Sequence, residues 1–557
     1  MSLAHKTNAV IRFHADAYDI GKSWLMGRQM AGHGFLRAAV KARGKGPLFG
    51  YGVSALSAQA FAAMVQEVDP VAEPLWIRAE QLHRIQGAGG VLYLADPTLT
   101  PAARLRLRVG PAHYCLCGVM HTTASARIMQ QIAELLTEPV MPWDALICTS
   151  TAVAETVRIV LEAQKEFLRW RLGDGVRLSK PEIPVIPLGV HCSDFAFSDE
   201  DKHLARNALG IQREDVAALY VGRFAFSGKA HPFQMYQGLQ AAAARTRRRV
   251  VLILCGWAAK ESITEAFTTG CAQFAPDIRM IMVDGRDLIA RRNCWGAADL
   301  FISLSDGIQE TFGLTPIEAM AAGLPVVVSD WNGYKDTIRD GVDGFRIPTW
   351  APAPGQAGAM IATLQEAGLL DYDAYLWAAA AATSIDMAAL TECLVELVER
   401  SDLRKKLGGA GRKRVLSEFD WPKVFEQYQA LWADLNARRL AVESNPDELA
   451  WLKDAQTAAP CRLDPFAAFG HYPTAQIVPG TMVSLMPGAA KEAYRERLAH
   501  ILFFGVKAPE RFAIPMLEAL RLGDETIAGL GAKVGLAAAP AALAIGALAK
   551  MGIVRLR

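Results

Sequence analysis

Short, almost unbroken apolar runs alternate along the chain with longer stretches in which apolar residues recur every three to four positions, in two successive blocks. The first block holds Val10 to His14, Val91 to Ala95, Tyr114 to Met120, Leu146 to Thr149 and Val185 to Leu188. The second holds Ala218 to Val221, Val250 to Cys255, Met280 to Val283, Phe301 to Leu304 and Val326 to Ser329. Continuous apolar strands separated by helices belong to parallel sheets covered on both faces, so the pattern predicts an α/β chain with two Rossmann-like domains and a cleft between them. Ligands of such sheets sit beyond the carboxyl ends of the strands. His121, Arg223, Lys229 and the loop at Glu310 all fall there.

One stretch is richer in chemistry than the rest. Phe301 to Ser305 reads as a buried strand, and Gly313 permits a close backbone approach. Thr315 suits a helix N-cap and Pro316 the first helical position, which would aim the amides near Gly313 and Leu314 outward at an anion. Glu310 and Glu318 flank this turn, and ionised carboxylates accept hydrogen bonds from paired sugar hydroxyls. Thr315-Pro316-Ile317-Glu318 is equally a capping-box pattern, in which Glu318 would only bond back to the Thr315 amide. The fragment alone leaves both readings open.

The wider sequence resembles the retaining, family-four (group 1) glycosyltransferases of the GT-B fold. Glu310 to Glu318 is similar to their Glu-x7-Glu signature and continues through Ala319-Met320-Ala321-Ala322-Gly323-Leu324-Pro325-Val326-Val327. Further matches follow in the family's order: Gly118 to Thr122, Ala145 to Ser150, Ile186 to Val190, Tyr220 to Phe224 with Lys229, and Gly341 to Phe345. The resemblance covers roughly residues 8 to 438. It implies an N-terminal acceptor domain over residues 1–190 and a nucleotide-sugar donor domain over 191–420. It further implies a crossover helix over 421–440 that returns to the first domain. Residues 349–388 read as a helical insertion with no assigned chemistry, and the family's glycine-rich loop after the first strand is loosely kept by Gly21, Gly27 and Gly32 to Gly34.

The resemblance also implies roles. Arg223 and Lys229 would hold the donor diphosphate together with the amides of Phe312, Gly313, Leu314 and Thr315. Glu318 would take the ribose hydroxyls, Glu310 the donor sugar, and His121 would approach the anomeric carbon. With two side-chain cations and helix amides for the leaving group, no metal and no cofactor is expected beyond the nucleotide-diphosphate sugar itself.

Composition restricts the alternatives. Lys and Arg number 59 against 57 Asp and Glu, a net charge of +2, so no global field selects a polyanionic partner. The nine cysteines are scattered through apolar runs, and Cys115-Leu116-Cys117 lacks zinc-site spacing, which favours buried reduced thiols. No signal-peptide pattern and no convincing spanning segment is visible, so a cytoplasmic enzyme is expected. Phe35 to Lys45 and Arg104 to Arg108, the latter alternating like a strand with a basic face, are candidates for an anionic lipid surface or a phosphorylated acceptor. Ordinary solvated faces are the simpler reading. The acceptor stays open among glycan, lipid, peptide and small molecule.

Residues 441–557 lie outside the resemblance. Helical patterns cover Ala489 to Phe504 and Pro509 to Leu522, and a short helix, turn, second helix and strand close the chain in winged-helix order. The second of these helices, Ala538 to Lys550, has one cation and no base-reading side chain, so no nucleic-acid partner is expected; a protein partner or a second copy fits better. Three functions compete: a retaining glycosyltransferase, a GT-B-like binding or scaffold protein without catalysis, and a nucleic-acid-associated protein acting through the tail.

Overall fold

The computed structural model describes residues 8–21, 27–44, 46–489, 491–506 and 508–557. The chain divides into two compact units after Ala459. In the larger unit β1 (Val10–Arg12), β2 (Leu48–Gly52), β3 (Pro74–Arg78), β4 (Val91–Leu94), β5 (Cys115–Val119) and β6 (Ala145–Ile147) form one sheet in the order β3-β2-β1-β4-β5-β6. A second sheet contains β7 (Val216–Val221), β8 (Val250–Gly256), β9 (Arg279–Asp284), β10 (Leu300–Ser303), β11 (Val326–Ser329) and β12 (Gly344–Ile347), in the order β12-β11-β10-β7-β8-β9. Every pairing in both sheets is parallel. Two helix-flanked parallel sheets are the GT-B architecture. The strand order reverses between β1 and β4 and between β7 and β10, and such switch points open a crevice at the carboxyl ends of the strands.

The sequence pattern and the structure differ at identifiable places. Val185 to Leu188 contributes only an isolated bridge from Val185 to Cys148 and no strand. Strands β2 and β3 escape the apolar pattern because glycines interrupt the first and Pro74 opens the second, as an edge strand tolerates. Gly50 is required where it stands, since a Cβ there would lie 2.8 Å from both Phe61 and Trp76.

Arg104 to Arg108 is not a strand with a basic face. Residues Leu99–Arg106 are a helix with Leu99, Ala102 and Ala103 inward, and Arg106 is buried in an ion pair with Asp144 at 2.6 and 2.7 Å. Phe35 to Val40 belongs to the helix Gly27–Ala42. Its Arg37 pairs with Asp194 and the following Arg43 with Asp69, while Lys45 lies outside the described residues.

Trp421–Ala441 is a helix packed on the first sheet, where Trp421, Phe425, Tyr428 and Trp432 surround Phe35. Gly34 and Gly189 make room for the Trp421 indole: a Cβ would come within 2.4 and 2.6 Å of it. Between residues 349 and 385, β13 (Thr349–Trp350) and β14 (Ser384–Ile385) pair antiparallel around the helices Gly358–Glu366 and Tyr372–Ala381. Trp377 on the second of these helices meets Phe226 and His231 at 6.2 and 6.4 Å, so the segment braces the loop that carries Lys229.

The smaller unit has its own core. β15 (Met482–Leu485), β16 (Glu525–Thr526) and β17 (Val554–Leu556) form an antiparallel sheet in the order β16-β15-β17, with helices at Lys491–Ala499, Glu510–Leu520, Ile527–Lys533 and Ala538–Lys550. The patterned helix from Ala489 to Phe504 thus ends at Ala499; its residue Ala490 lies outside the described residues. Ala541, Ala544, Ile545 and Leu548 face inward, and Leu543 points outward. Among the described residues no single helix is long and apolar enough to cross a membrane, though Ile527–Lys533 and Ala538–Lys550 pass on length and composition as a pair bent by 106°.

Candidate functional site

A cavity of about 270 Å³ opens at the strand ends of the larger unit. His121, Arg223, Lys229, Glu310, Phe312, Gly313, Leu314, Thr315 and Glu318 all line it, so every sequence-selected residue meets in one place. Their surroundings explain what each can do.

The helix Leu314–Ala321 begins differently from the expectation. Its N-cap is Gly313, at φ +88°, and no side chain caps it. Thr315 therefore lies inside the first turn. Only glycine suits Gly313 twice over: the left-handed conformation disfavours other residues, and a Cβ would strike the Tyr334 ring at 2.1 Å. That ring is held by a 2.9 Å hydrogen bond between its hydroxyl and Ser303 at the end of β10. With no capping side chain, the first-turn amides open onto the cavity with the positive end of the helix dipole.

The capping-box reading of Glu318 also falls away. Its carboxylate is 3.2 and 3.1 Å from Arg291 Nη2, a residue that no motif distinguishes from Arg292 beside it. Burial raises the Glu318 carboxyl pKa, and Arg291 opposes that rise.

Glu310 is held by three donors. Lys229 Nζ is 3.1 Å from Oε2, and the amides of Thr311 and Phe312 donate to Oε1 at 3.2 and 3.4 Å. Burial would raise its pKa, but Lys229 and the two amides outweigh that and hold the carboxyl below its usual range. Arg223 differs from Lys229. Among the described residues its guanidinium makes no hydrogen bond or ion pair. It lies over Gly228, where a Cβ would come within 2.7 Å of its Nη2.

His121 comes from the first sheet, two residues past β5. Its Nε2 donates to the Ala95 carbonyl at 3.1 Å, and burial pushes its pKa down to about 4. The ring is therefore neutral near pH 7, with Nδ1 left as an acceptor. The loop of Glu310 is tied to this wall twice: Thr311 Oγ1 donates to the His121 carbonyl at 3.1 Å, and Ser150 Oγ donates to the Thr311 carbonyl at 2.7 Å. Arg28, paired with Asp16, and Trp257 also line the cavity and were not legible as site residues. Among the described residues no group of three or more His, Cys, Asp or Glu is placed to hold a metal ion.

Residues 216–366 match the family model described as "Glycosyl transferases group 1". Over that stretch the chain is similar to the group 1 glycosyltransferases. The matched segment runs from β7 through the Glu310 loop into the helix Gly358–Glu366, and so contains Arg223, Lys229, Arg291, Glu310 and Glu318. Among curated relatives, the D-inositol 3-phosphate glycosyltransferase of Segniliparus rotundus is 27% identical over 245 residues, covering 43% of this chain and 51% of that protein. The alpha-maltose-1-phosphate synthase of Mycolicibacterium smegmatis is 28% identical over 234 residues, covering 41% and 50%. The chain spans about half the length of these curated relatives. Among solved structures, Anabaena Alr3699/HepE in complex with UDP and glucose aligns with a TM-score of 0.48 and 14% identity, over 77% of this chain and 100% of that one.

Proposed function

We propose that the chain transfers a sugar from a nucleoside-diphosphate sugar to an acceptor, with retention at the anomeric carbon and without a metal. The observation that carries this reading is the convergence in one cavity of a free guanidinium, a lysine, uncapped helix amides, two carboxylates and a neutral histidine. Departure of a nucleoside diphosphate develops negative charge on phosphate oxygens, and fixed cations and amides stabilise that charge without reorganising. Arg223, Lys229 and the amides of Gly313 to Thr315 are the groups for it. Glu318 is left for the ribose and Glu310 for hydroxyls of the transferred sugar.

The engagement of the carboxylates bears on how retention would be reached. Glu318 is paired with Arg291, and Glu310, held by Lys229 and by the amides of Thr311 and Phe312, is assigned to a sugar hydroxyl, so neither is left as a nucleophile. Front-face attack, with the leaving phosphate accepting the acceptor's proton, then fits better than a covalent intermediate. Neutral His121, with Nδ1 free to accept, suits a contact with a sugar hydroxyl near the reacting carbon. Two relatives are named for phosphate-bearing compounds, an inositol phosphate and maltose 1-phosphate. Arg28, on the first-domain side of the cavity, makes a phosphate-bearing acceptor the first class to try.

The test is a panel of nucleotide sugars assayed by thermal shift and then by nucleoside-diphosphate release, because a ligand that binds only the folded state raises its apparent stability. Stabilisation by one nucleotide sugar with turnover is expected. Stabilisation without turnover against any acceptor class would instead favour a binding protein, and no stabilisation at all would refute the reading.

A further inference from the structure

The pair formed by Arg291 and Glu318 is placed as part of the cavity wall and not as a fastening between helices. Arg291 stands on the helix Leu288–Ala297, whose N-cap Asp287 accepts the amides of Ile289 and Ala290. Its Nη2 straddles both Glu318 oxygens, at 3.2 and 3.1 Å. The two side chains are 14% and 3% exposed, and both line the cavity beside Cys255, Gly256 and Gly285. Arg291 Nη1 also reaches Met30 Sδ, across the cleft, at 4.0 Å.

Two observations set this pair apart from an ordinary ion pair. The two helices are each anchored in the same hydrophobic core without it, through buried Cys294, Trp295 and Ala297 on one and Ile317, Ala319 and Met320 on the other. A buried ion pair is moreover weak evidence for stability, since desolvation offsets much of the attraction. Second, among the described residues the Glu318 carboxylate accepts hydrogen bonds only from Arg291. A carboxylate has about four acceptor directions, so those turned from Arg291 are taken by no described protein donor and face the cavity.

We propose that Arg291 is a positioning residue for the donor, fixing the Glu318 carboxylate so that its open edge meets the vicinal ribose hydroxyls, and that this pair makes the site select ribonucleotides over 2′-deoxyribonucleotides. The proposal rests on the nucleotide-sugar reading above. Arg291 touches no substrate in it; it acts through Glu318.

The experiment is calorimetric titration of the full chain with UDP, ADP and GDP and with their 2′-deoxy counterparts. Wild-type protein is expected to prefer the ribo form of its nucleotide by about ten- to a hundred-fold, the worth of one hydrogen bond to a charged group. Arg291→Met and Glu318→Gln should each bring that ratio close to one, and the double variant should go no further, because the two residues act as one unit. Arg291→Lys keeps the charge and should give an intermediate ratio; it decides the matter if Arg291→Met does not fold. Loss of affinity for both forms alike, with the ratio unchanged, would make Arg291 a structural strut and overturn the proposal. Wild-type binding of nucleotide without ribose discrimination would overturn it alone, whereas no nucleotide binding would remove the underlying reading as well.

Discussion

Replacing Arg223 by alanine separates chemistry from stability more cleanly than any other substitution in the site. The guanidinium has no hydrogen-bond or ion-pair partner among the described residues, so its removal orphans no buried group. Surface-like substitutions of that kind stay within about 0.5 kcal/mol of the parent. The loss in the transition state is larger. A unit charge about 4 Å from a phosphate oxygen is worth roughly 4 kcal/mol at an effective dielectric of about 20. Removing one preorganised donor from an oxyanion site costs about 2.7–4 kcal/mol, or about a hundred- to a thousand-fold in rate. The expected outcome is a melting temperature within a degree or two of wild type and a kcat/KM lower by about that factor. The assay is nucleoside-diphosphate release from whichever nucleotide sugar stabilises the protein. Near wild-type kcat/KM in a correctly folded Arg223→Ala protein would refute the placement of the diphosphate.

Lys229→Met should lower turnover similarly but also destabilise, because it leaves Glu310 buried without its cation. The Glu310 carboxyl lies below its unfolded value of 4.5, so its stabilising contribution is present above that pH and is lost as pH falls through the folded pKa. The difference in melting temperature between wild type and Lys229→Met should therefore shrink in acid, and a constant difference would refute the pairing. Turnover should persist in EDTA; loss on chelation that magnesium or manganese restores would refute a metal-free site. Asp306, buried with Oδ1 unpartnered, is raised by burial from 3.8 to about 7. An acid raised in the folded state destabilises increasingly as pH climbs between those values, so Asp306→Asn should melt progressively higher than wild type from pH 4 to 7, checked by calorimetry across that range. Arg106→Met should cost about 3–5 kcal/mol, measured by denaturant unfolding, because it strands the fully buried Asp144.

Most of the two-sheet architecture was legible because fully buried parallel strands announce themselves as unbroken apolar runs, as in Val250 to Cys255 and Val326 to Ser329. Strands β2 and β3 were not, since their sequences answer to neighbours the sequence does not display: Gly50 yields to Phe61 and Trp76, and Pro74 is acceptable only at a sheet edge. Arg104 to Arg108 misled for a related reason. Alternating Arg and Leu mimics a two-residue period, yet Arg106 belongs to a helix and is drawn inward by Asp144, 38 residues away. At the site, motif spacing selected residues that the fold gathers into one cavity. Their partners were illegible. Nothing in Ala290-Arg291-Arg292 says which arginine reaches Glu318, and Thr315-Pro316 imitates a cap that Gly313 occupies.

In the nucleotide-sugar reading, the charges around the cavity would couple binding of the two halves of a donor. Glu310 is matched by Lys229 and Glu318 by Arg291, while Arg223 and the uncapped amides of the helix Leu314–Ala321 are the positive groups at the cavity left unmatched among the described residues. His121, held neutral near pH 7 by burial, does not disturb this balance. In the nucleotide-sugar reading, an incoming diphosphate meets Arg223 and the amides first and then competes with Glu310 for Lys229. To the extent that Lys229 turns to phosphate, one oxygen of Glu310 is released, while its other oxygen stays fixed by the amides of Thr311 and Phe312. That freed oxygen is the acceptor a sugar hydroxyl needs. A nucleoside diphosphate without a sugar would displace Lys229 and leave the released oxygen unsatisfied. The attached sugar satisfies it, so the intact donor gains from both ends of the same exchange.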